Sequence, residues 1–169
     1  IALEGCRVPA ANRIGDEGQG LRIALSGLEG GRIGIAAQSV GIARAAFDHA
    51  HIYARQRQTF GKAIIEHQAV GFRLAEMLTK VEVARSHLHH VARLRDAGQP
   101  CKTEAAMTKL YASEIAEQVA SEAVQVHGGY GYLKDFAVER IYRDARLCRI
   151  YEGTSDIQKM IIARALAAS

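Results

Sequence analysis

From Gly18 onward the apolar positions step by threes and fours. Ala36, Val40, Ala43, Phe47, Ala50 and Ala54 form one stripe, the spacing that lays side chains along a single face of a helix. Gly27, Gly30 and Gly31 fall inside that pattern, where each glycine costs about 1 kcal/mol of helix stability, so the spacing predicts a neighbour that needs the room. Residues 57–62 interrupt the stripe. A second helix follows with Val70, Leu74, Met77, Val81, Ala84, Leu88 and Val91 inward, ended by Gly98-Gln99-Pro100. A third starts near Lys102, turns Met107, Leu110, Ile115, Val119 and Val126 inward, and stops at the glycines of Gly128-Gly129-Tyr130-Gly131-Tyr132. Long helices with short connections predict an all-α antiparallel up-and-down bundle. Shorter helices are expected over 137–147 and 157–166. Ser155-Asp156-Ile157-Gln158 reads as a capping box, with Ser155 as N-cap and Gln158 reaching back, which places Glu152 in the loop just before a helix N-terminus.

Residues 1–17 break the helical period. Ile1-Ala2-Leu3 is short and apolar, and the stretch from Val8 to Gly15 carries the Pro, Asn and Gly of turns. The expectation is a short N-terminal strand remnant and linker over 1–17, whose sheet partners lie outside this sequence, followed by a helical domain over 18–169. The first residues, with no initiator Met and no signal-peptide pattern, read as a chain entered midway.

Composition narrows the function classes. The 169 residues are 49% hydrophobic and 24% charged, the make-up of one globular domain with a real core. The net charge of +4 comes from interleaved acids and bases, which argues against a nucleic-acid partner. No run approaches the roughly 20 apolar residues of a membrane helix. Cys6, Cys101 and Cys148 are too far apart for a zinc knuckle or a disulfide framework, so a reducing, cytosolic compartment is expected, or the mitochondrial matrix in a eukaryote.

Few side chains carry chemistry at a telling spacing. His87 and His90 lie three apart on a helix but without a carboxylate partner of the H-E-x-x-H kind, so they read as a solvated face and no metal is expected. His49 and His51 diverge on their helix. Neither a nucleophile elbow nor a Walker loop is present. The glycines after Gln125 follow a helix instead of joining a strand to one, which excludes a Rossmann fingerprint; they serve as a C-cap and can bring bare backbone close to a ligand. Glu152, in Ile150-Tyr151-Glu152-Gly153-Thr154-Ser155, is the strongest candidate. Before a helix N-terminus a carboxylate is ordinarily an electrostatic contact. Walled by Tyr151 and Ile150, and flanked by Gly153 and Thr154 that leave space for a substrate, it also suits a general base.

Five segments in order then carry a resemblance: R-x-x-F-G-K at 57–62, His67-Gln68, Q-x-x-G-G-x-G at 125–131, Arg143-Asp144-Ala145, and Y-E-G-T-S at 151–155. Over nearly its whole length the chain resembles the C-terminal part of the acyl-CoA dehydrogenase family. That resemblance implies a C-terminal four-helix bundle following a middle β-domain. It implies an FAD-dependent oxidoreductase of fatty-acid β-oxidation type, in which a glutamate removes the α-proton of an acyl-CoA thioester while the β-carbon delivers hydride to flavin N5, giving a trans-2-enoyl-CoA.

By position Glu152 resembles the base, and its backbone N–H one donor to the thioester carbonyl. Arg57, Thr59 and Phe60 resemble residues that meet the FAD pyrophosphate and adenine from a neighbouring subunit, with Gln68, Gln125, Gly128 and Gly129 as further cross-subunit contacts. Thr154 and Asp156 resemble positions that reach the flavin of their own subunit, although Asp156 departs from the amide or longer acid frequent there, and His127 stands at an often aliphatic position. Glu29, Arg32 and Gly153 resemble substrate-side positions. Some branched-chain members carry their base at the place of Gly31, so glycine there agrees with Glu152 as base. The resemblance further implies a homo-oligomer, a dimer or a tetramer built as a dimer of dimers, and electron-transferring flavoprotein as acceptor. The isolated stretch is expected to be inactive. An acyl-CoA oxidase relative, or a non-catalytic helical module such as the family's DNA-associated relatives, are the alternatives.

Overall fold

The computed structural model describes residues 1–168. Helix α1 spans Gly20–Gln56, α2 Gln68–Asp96, α3 Lys102–His127, α4 Ala137–Leu147 and α5 Ser155–Ala168. At 37 residues, α1 runs to about 55 Å. Helices α1, α2 and α3 pack on one another, α4 closes the bundle against α1 and α3, and α5 lies on α3. The all-α bundle read from the sequence is the fold observed.

Small residues set the packing. Ala36, Ala43, Ala46, Ala50 and Ala54 on α1 and Ala112, Ala116, Ala120 and Ala123 on α3 are all fully buried. Alanine faces let two helices approach closely and bury backbone as well as side chains. Larger side chains, Phe47, Met77, Val81, Ile115 and Val119, fill the space between these stripes.

Two expectations need correction. Met107 is exposed and Leu110 only half-buried; the inward face of the first turns of α3 is Ala105, Ala106, Thr108, Lys109, Ala112 and Ser113. The large apolar residues marked the wrong side there because the close contact with α1 favours small side chains, with Lys109 the exception. Second, Ile1-Ala2-Leu3 forms no strand. Among the described residues the strands are β1 (Gln58–Thr59) and β2 (Lys62–Ala63), paired antiparallel, because an edge backbone without partners has nothing to bond. A single 3-10 turn, Ala10–Asn12, precedes α1.

The glycines inside α1 divide into two kinds. A Cβ on Gly27 would meet open space, whereas one on Gly30 would stand 3.0 Å from the Arg95 guanidinium and one on Gly31 would stand 3.0 Å from the Glu152 carboxylate carbon. The expected neighbour is therefore real at two positions: α1 is pared to backbone where α2 sends in Arg95 and where the loop before α5 sends in Glu152.

Candidate functional site

The loop between α4 and α5 is built around two residues in the left-handed region, Glu152 at φ 52° and Gly153 at φ 87°. Glycine takes this conformation freely, but a glutamate does so at a cost of about 1–3 kcal/mol and only where its surroundings hold it. Three contacts do so. Gln158 Nε2 donates to the Glu152 carbonyl at 3.3 Å and to the Gly153 carbonyl at 2.9 Å. Lys109 Nζ, from α3, donates to the same Gly153 carbonyl at 2.8 Å. Tyr151 anchors the other side by donating to Gln38 Oε1 at 2.6 Å; burial, aided by the adjacent Cys148, pushes its phenol up to about 12, so it stays a proton donor.

Held this way, the Glu152 side chain lies against Gly31 of α1. Its Oε2 is buried and accepts no hydrogen bond. A buried carboxylate oxygen without a donor is costly, and here it is an acceptor left open. The Glu152 backbone N–H also reaches no acceptor among the described residues. Glu29 and Arg32 lie on the same stretch of α1, one half-buried and the other buried with Nε unpartnered.

The capping box does not form as the sequence predicts. Thr154 is the cap: its Oγ1 accepts from the Ile157 N–H at 3.4 Å and its carbonyl from the Gln158 N–H at 3.1 Å. Ser155 is buried, with Oγ unpartnered, and Gln158 turns to the loop carbonyls instead of reaching back. The strained turn supplies acceptors closer to Gln158 than the helix start does.

A second group assembles at the far end of α1 and α3. Arg57, Thr59, Gln125, Gly128 and Gly129 line one cleft of about 490 Å³, floored by Tyr53, His127 and Tyr130. No carboxylate lines it, and Arg57 forms no ion pair among the described residues, its guanidinium standing 5.8 Å over the Tyr130 ring. Thr59 is fixed by His67 Nε2 at 3.0 Å. His127 stacks on Tyr53 at 4.2 Å and donates from Nδ1 to the Ala123 carbonyl at 2.8 Å. Burial pushes its pKa down, against the pull of that hydrogen bond, so it packs as a neutral ring.

The β1–β2 hairpin turns on Phe60 and Gly61, both at positive φ. A two-residue hairpin loop with both residues at positive φ matches the twist of the strands, but Phe is a rare occupant, and its ring is 96% exposed. Phe60 and the exposed Gln68 stand outside the cleft lining. Asp156 is exposed and lies 3.8 Å from Lys159. The structure thus gathers Arg57, Thr59, Gln125, Gly128 and Gly129 in one place and Glu152, Gly153 and Thr154 in another, with Gly31 beside Glu152. The sequence reading passed over Lys109, and it gave Gln158 a capping role and Tyr151 a wall's in place of the loop contacts they make. Lys109 had a signal, since it falls on the small-residue stripe with Ala105, Ala112 and Ala116.

Residues 18–167 match the family model described as acyl-CoA dehydrogenase, C-terminal domain. The chain is 49% identical over 166 residues to an acyl-CoA dehydrogenase of Bacillus subtilis, covering 98% of this chain and 44% of that protein. It is 46% identical over 163 residues to the caffeyl-CoA reductase-Etf complex subunit CarC of Acetobacterium woodii, covering 96% of this chain and 43% of that one. The solved structure of butyryl-CoA dehydrogenase from Megasphaera elsdenii superposes with a TM-score of 0.93 at 45% identity, over 95% of this chain and 42% of that chain. The chain therefore spans less than half the length of these relatives.

Proposed function

The chain belongs to the acyl-CoA dehydrogenase family, and from that membership we propose that it carries the catalytic base of an enzyme that oxidises an acyl-CoA thioester to its trans-2-enoyl product. The observation that supports this most is Glu152 itself: a carboxylate with one buried oxygen unpartnered, on a strained turn, facing bare helix backbone. Glu152 accepts the α-proton at its carboxylate. Its open backbone N–H is free to donate to the oxygen on which charge grows as the α-carbon gives up that proton; a fixed donor there would lower the barrier more than it stabilises the ground state. Gly31 leaves room for the Glu152 carboxylate, and Gly153 beside it and Glu29 and Arg32, on the same stretch of α1, are the residues we assign to the substrate side.

The cleft fits FAD by its donor set: an unpaired guanidinium, a threonine hydroxyl, an amide and two glycines that expose backbone, with no competing carboxylate. Arg57 presents a fork to phosphate; Thr59, Gln125, Gly128 and Gly129 complete the hold, with Phe60 and Gln68 beside it. FAD, when bound, supplies the acceptor for the hydride that leaves the β-carbon. The cleft lining includes none of the residues around Glu152, which supports the reading that each cleft serves the cofactor of a neighbouring copy, and hence a homodimer or homotetramer. Thr154 and Asp156, which follow Glu152 closely in the chain, are the residues we assign to the flavin that Glu152 would work beside. CarC is named a subunit of an Etf complex, which supports electron-transferring flavoprotein as redox partner. No helix among the described residues is long and apolar enough to cross a membrane.

The test is anaerobic flavin reduction in the full protein that carries this chain, with a panel of acyl-CoA thioesters. Bleaching by at least one thioester, abolished by Glu152→Gln with FAD content unchanged, is the expected result. A Glu152→Gln protein that bleaches as fast as wild type refutes the assignment.

A further inference from the structure

Lys109 is the largest side chain with no exposure in the described chain. It sits in the third turn of α3, on a buried face whose other residues there are the small Ala105, Ala106, Thr108, Ala112 and Ser113. Its ammonium reaches one acceptor, the Gly153 carbonyl at 2.8 Å, and none of the ion pairs of the described residues includes it. Burial pushes its pKa down, while the nearby Cys148 and Glu152 pull it up. An apolar side chain of the same length would fill this space without taking a charge out of water, so packing alone gives no reason for a lysine here.

The reason lies in what it holds. Gly153 O receives two donors, Lys109 from α3 and Gln158 from α5. Between them the two helices clamp the carbonyl that follows Glu152 and lock a backbone conformation that glutamate otherwise avoids. Released, the residue would relax to negative φ and swing its side chain away from Gly31. We propose that Lys109 is a positioning residue, whose buried ammonium fixes the Gly153 carbonyl and thereby the left-handed turn that aims Glu152 at its target. The proposal rests on the reading of Glu152 as the base. Lys109 makes no direct ion pair with the carboxylate, so Oε2 stays free to take a proton.

The experiment compares Lys109→Met and Lys109→Gln in the full FAD-loaded protein, measuring kcat, KM, FAD content and solvent-deuterium incorporation at the thioester α-carbon. Lys109→Met is expected to lower kcat and α-carbon exchange together by about 10- to 100-fold, since a misplacement near 1 Å costs on that order, with KM within about threefold and FAD retained. Lys109→Gln, which keeps a donor, falls between Met and wild type. Wild-type kcat in Lys109→Met overturns the proposal, and so does loss of FAD from both variants, which makes Lys109 a residue of the fold alone. If no thioester reduces the wild-type flavin, it is the reading of Glu152 that fails. The crystal structure of Lys109→Met then decides on Lys109 separately: a relaxed turn upholds its role and an unchanged one overturns it.

Discussion

Gly31→Ala separates stability from activity in a direction that few helix substitutions do. Gly31 lies in the interior of α1, where alanine is favoured over glycine by about 1 kcal/mol. The added Cβ would stand 3.0 Å from the Glu152 carboxylate carbon and closer still to Oε2. The three atoms nearest to that position outside the helix's own turns all belong to the Glu152 carboxylate, so the obstacle is the far end of a flexible side chain. Restoring an ordinary contact moves the carboxylate by about 1 Å, which costs little in folding but is enough to lose about 100-fold in a reaction that depends on alignment. The expected result in the full protein is a melting temperature equal to or slightly above wild type, together with flavin reduction by thioester slowed about 100-fold at full FAD occupancy. Flavin reduction within about threefold of wild type would refute the reasoning, because it would mean that the carboxylate does not work from its place against α1.

Two further outcomes follow from the cap and from the cleft floor. Thr154→Ala removes the side-chain cap of α5 and is expected to cost about 1 kcal/mol, seen as a lower melting temperature, whereas Ser155→Ala, at the position that the sequence pattern would choose, leaves it unchanged because that hydroxyl has no partner. His127 has a folded pKa depressed below 6.5, chiefly by burial; its contribution to stability is complete above that value and is lost as the pH falls from 6.5 through the folded pKa, so the melting temperature of wild type should drop between pH 7 and pH 5 more steeply than that of His127→Gln.

Much of this was legible in the sequence because periodicity reports burial. The stripes Ala36 to Ala54 on α1 and Val70 to Val91 on α2 are the faces that pack, and only Val70 among them is partly exposed. The reading slipped on α3, where Met107 and Leu110 look like core and Lys109 does not. Hydrophobicity there competes with size, since the contact with α1 favours small residues whatever their polarity, and the long Lys109 is buried among them because the Gly153 carbonyl takes its ammonium. The cap slipped for a similar reason. Ser155 and Gln158 satisfy the local pattern, but Gln158 has better acceptors in a turn whose φ values no pattern reveals. Long-range geometry decided both, through the loop that Glu152 occupies.

Gly31 shows the same relation from the other side. In the sequence it is one of six glycines in α1; in the fold it is the surface against which Glu152 rests. The position of the carboxylate is therefore set by backbone on two sides, α1 at Gly31 and the turn clamped from α3 and α5 by Lys109 and Gln158. These three helices are far apart in sequence and pack through α3. Y-E-G-T-S alone supplies a glutamate before a helix; only within the bundle does it become a carboxylate with one face against bare backbone and one buried oxygen unpartnered. A segment of this sequence taken out of the bundle keeps the residues and Gln158 but loses Lys109 and Gly31, and Gln158 alone is expected not to offset the strain of the left-handed turn.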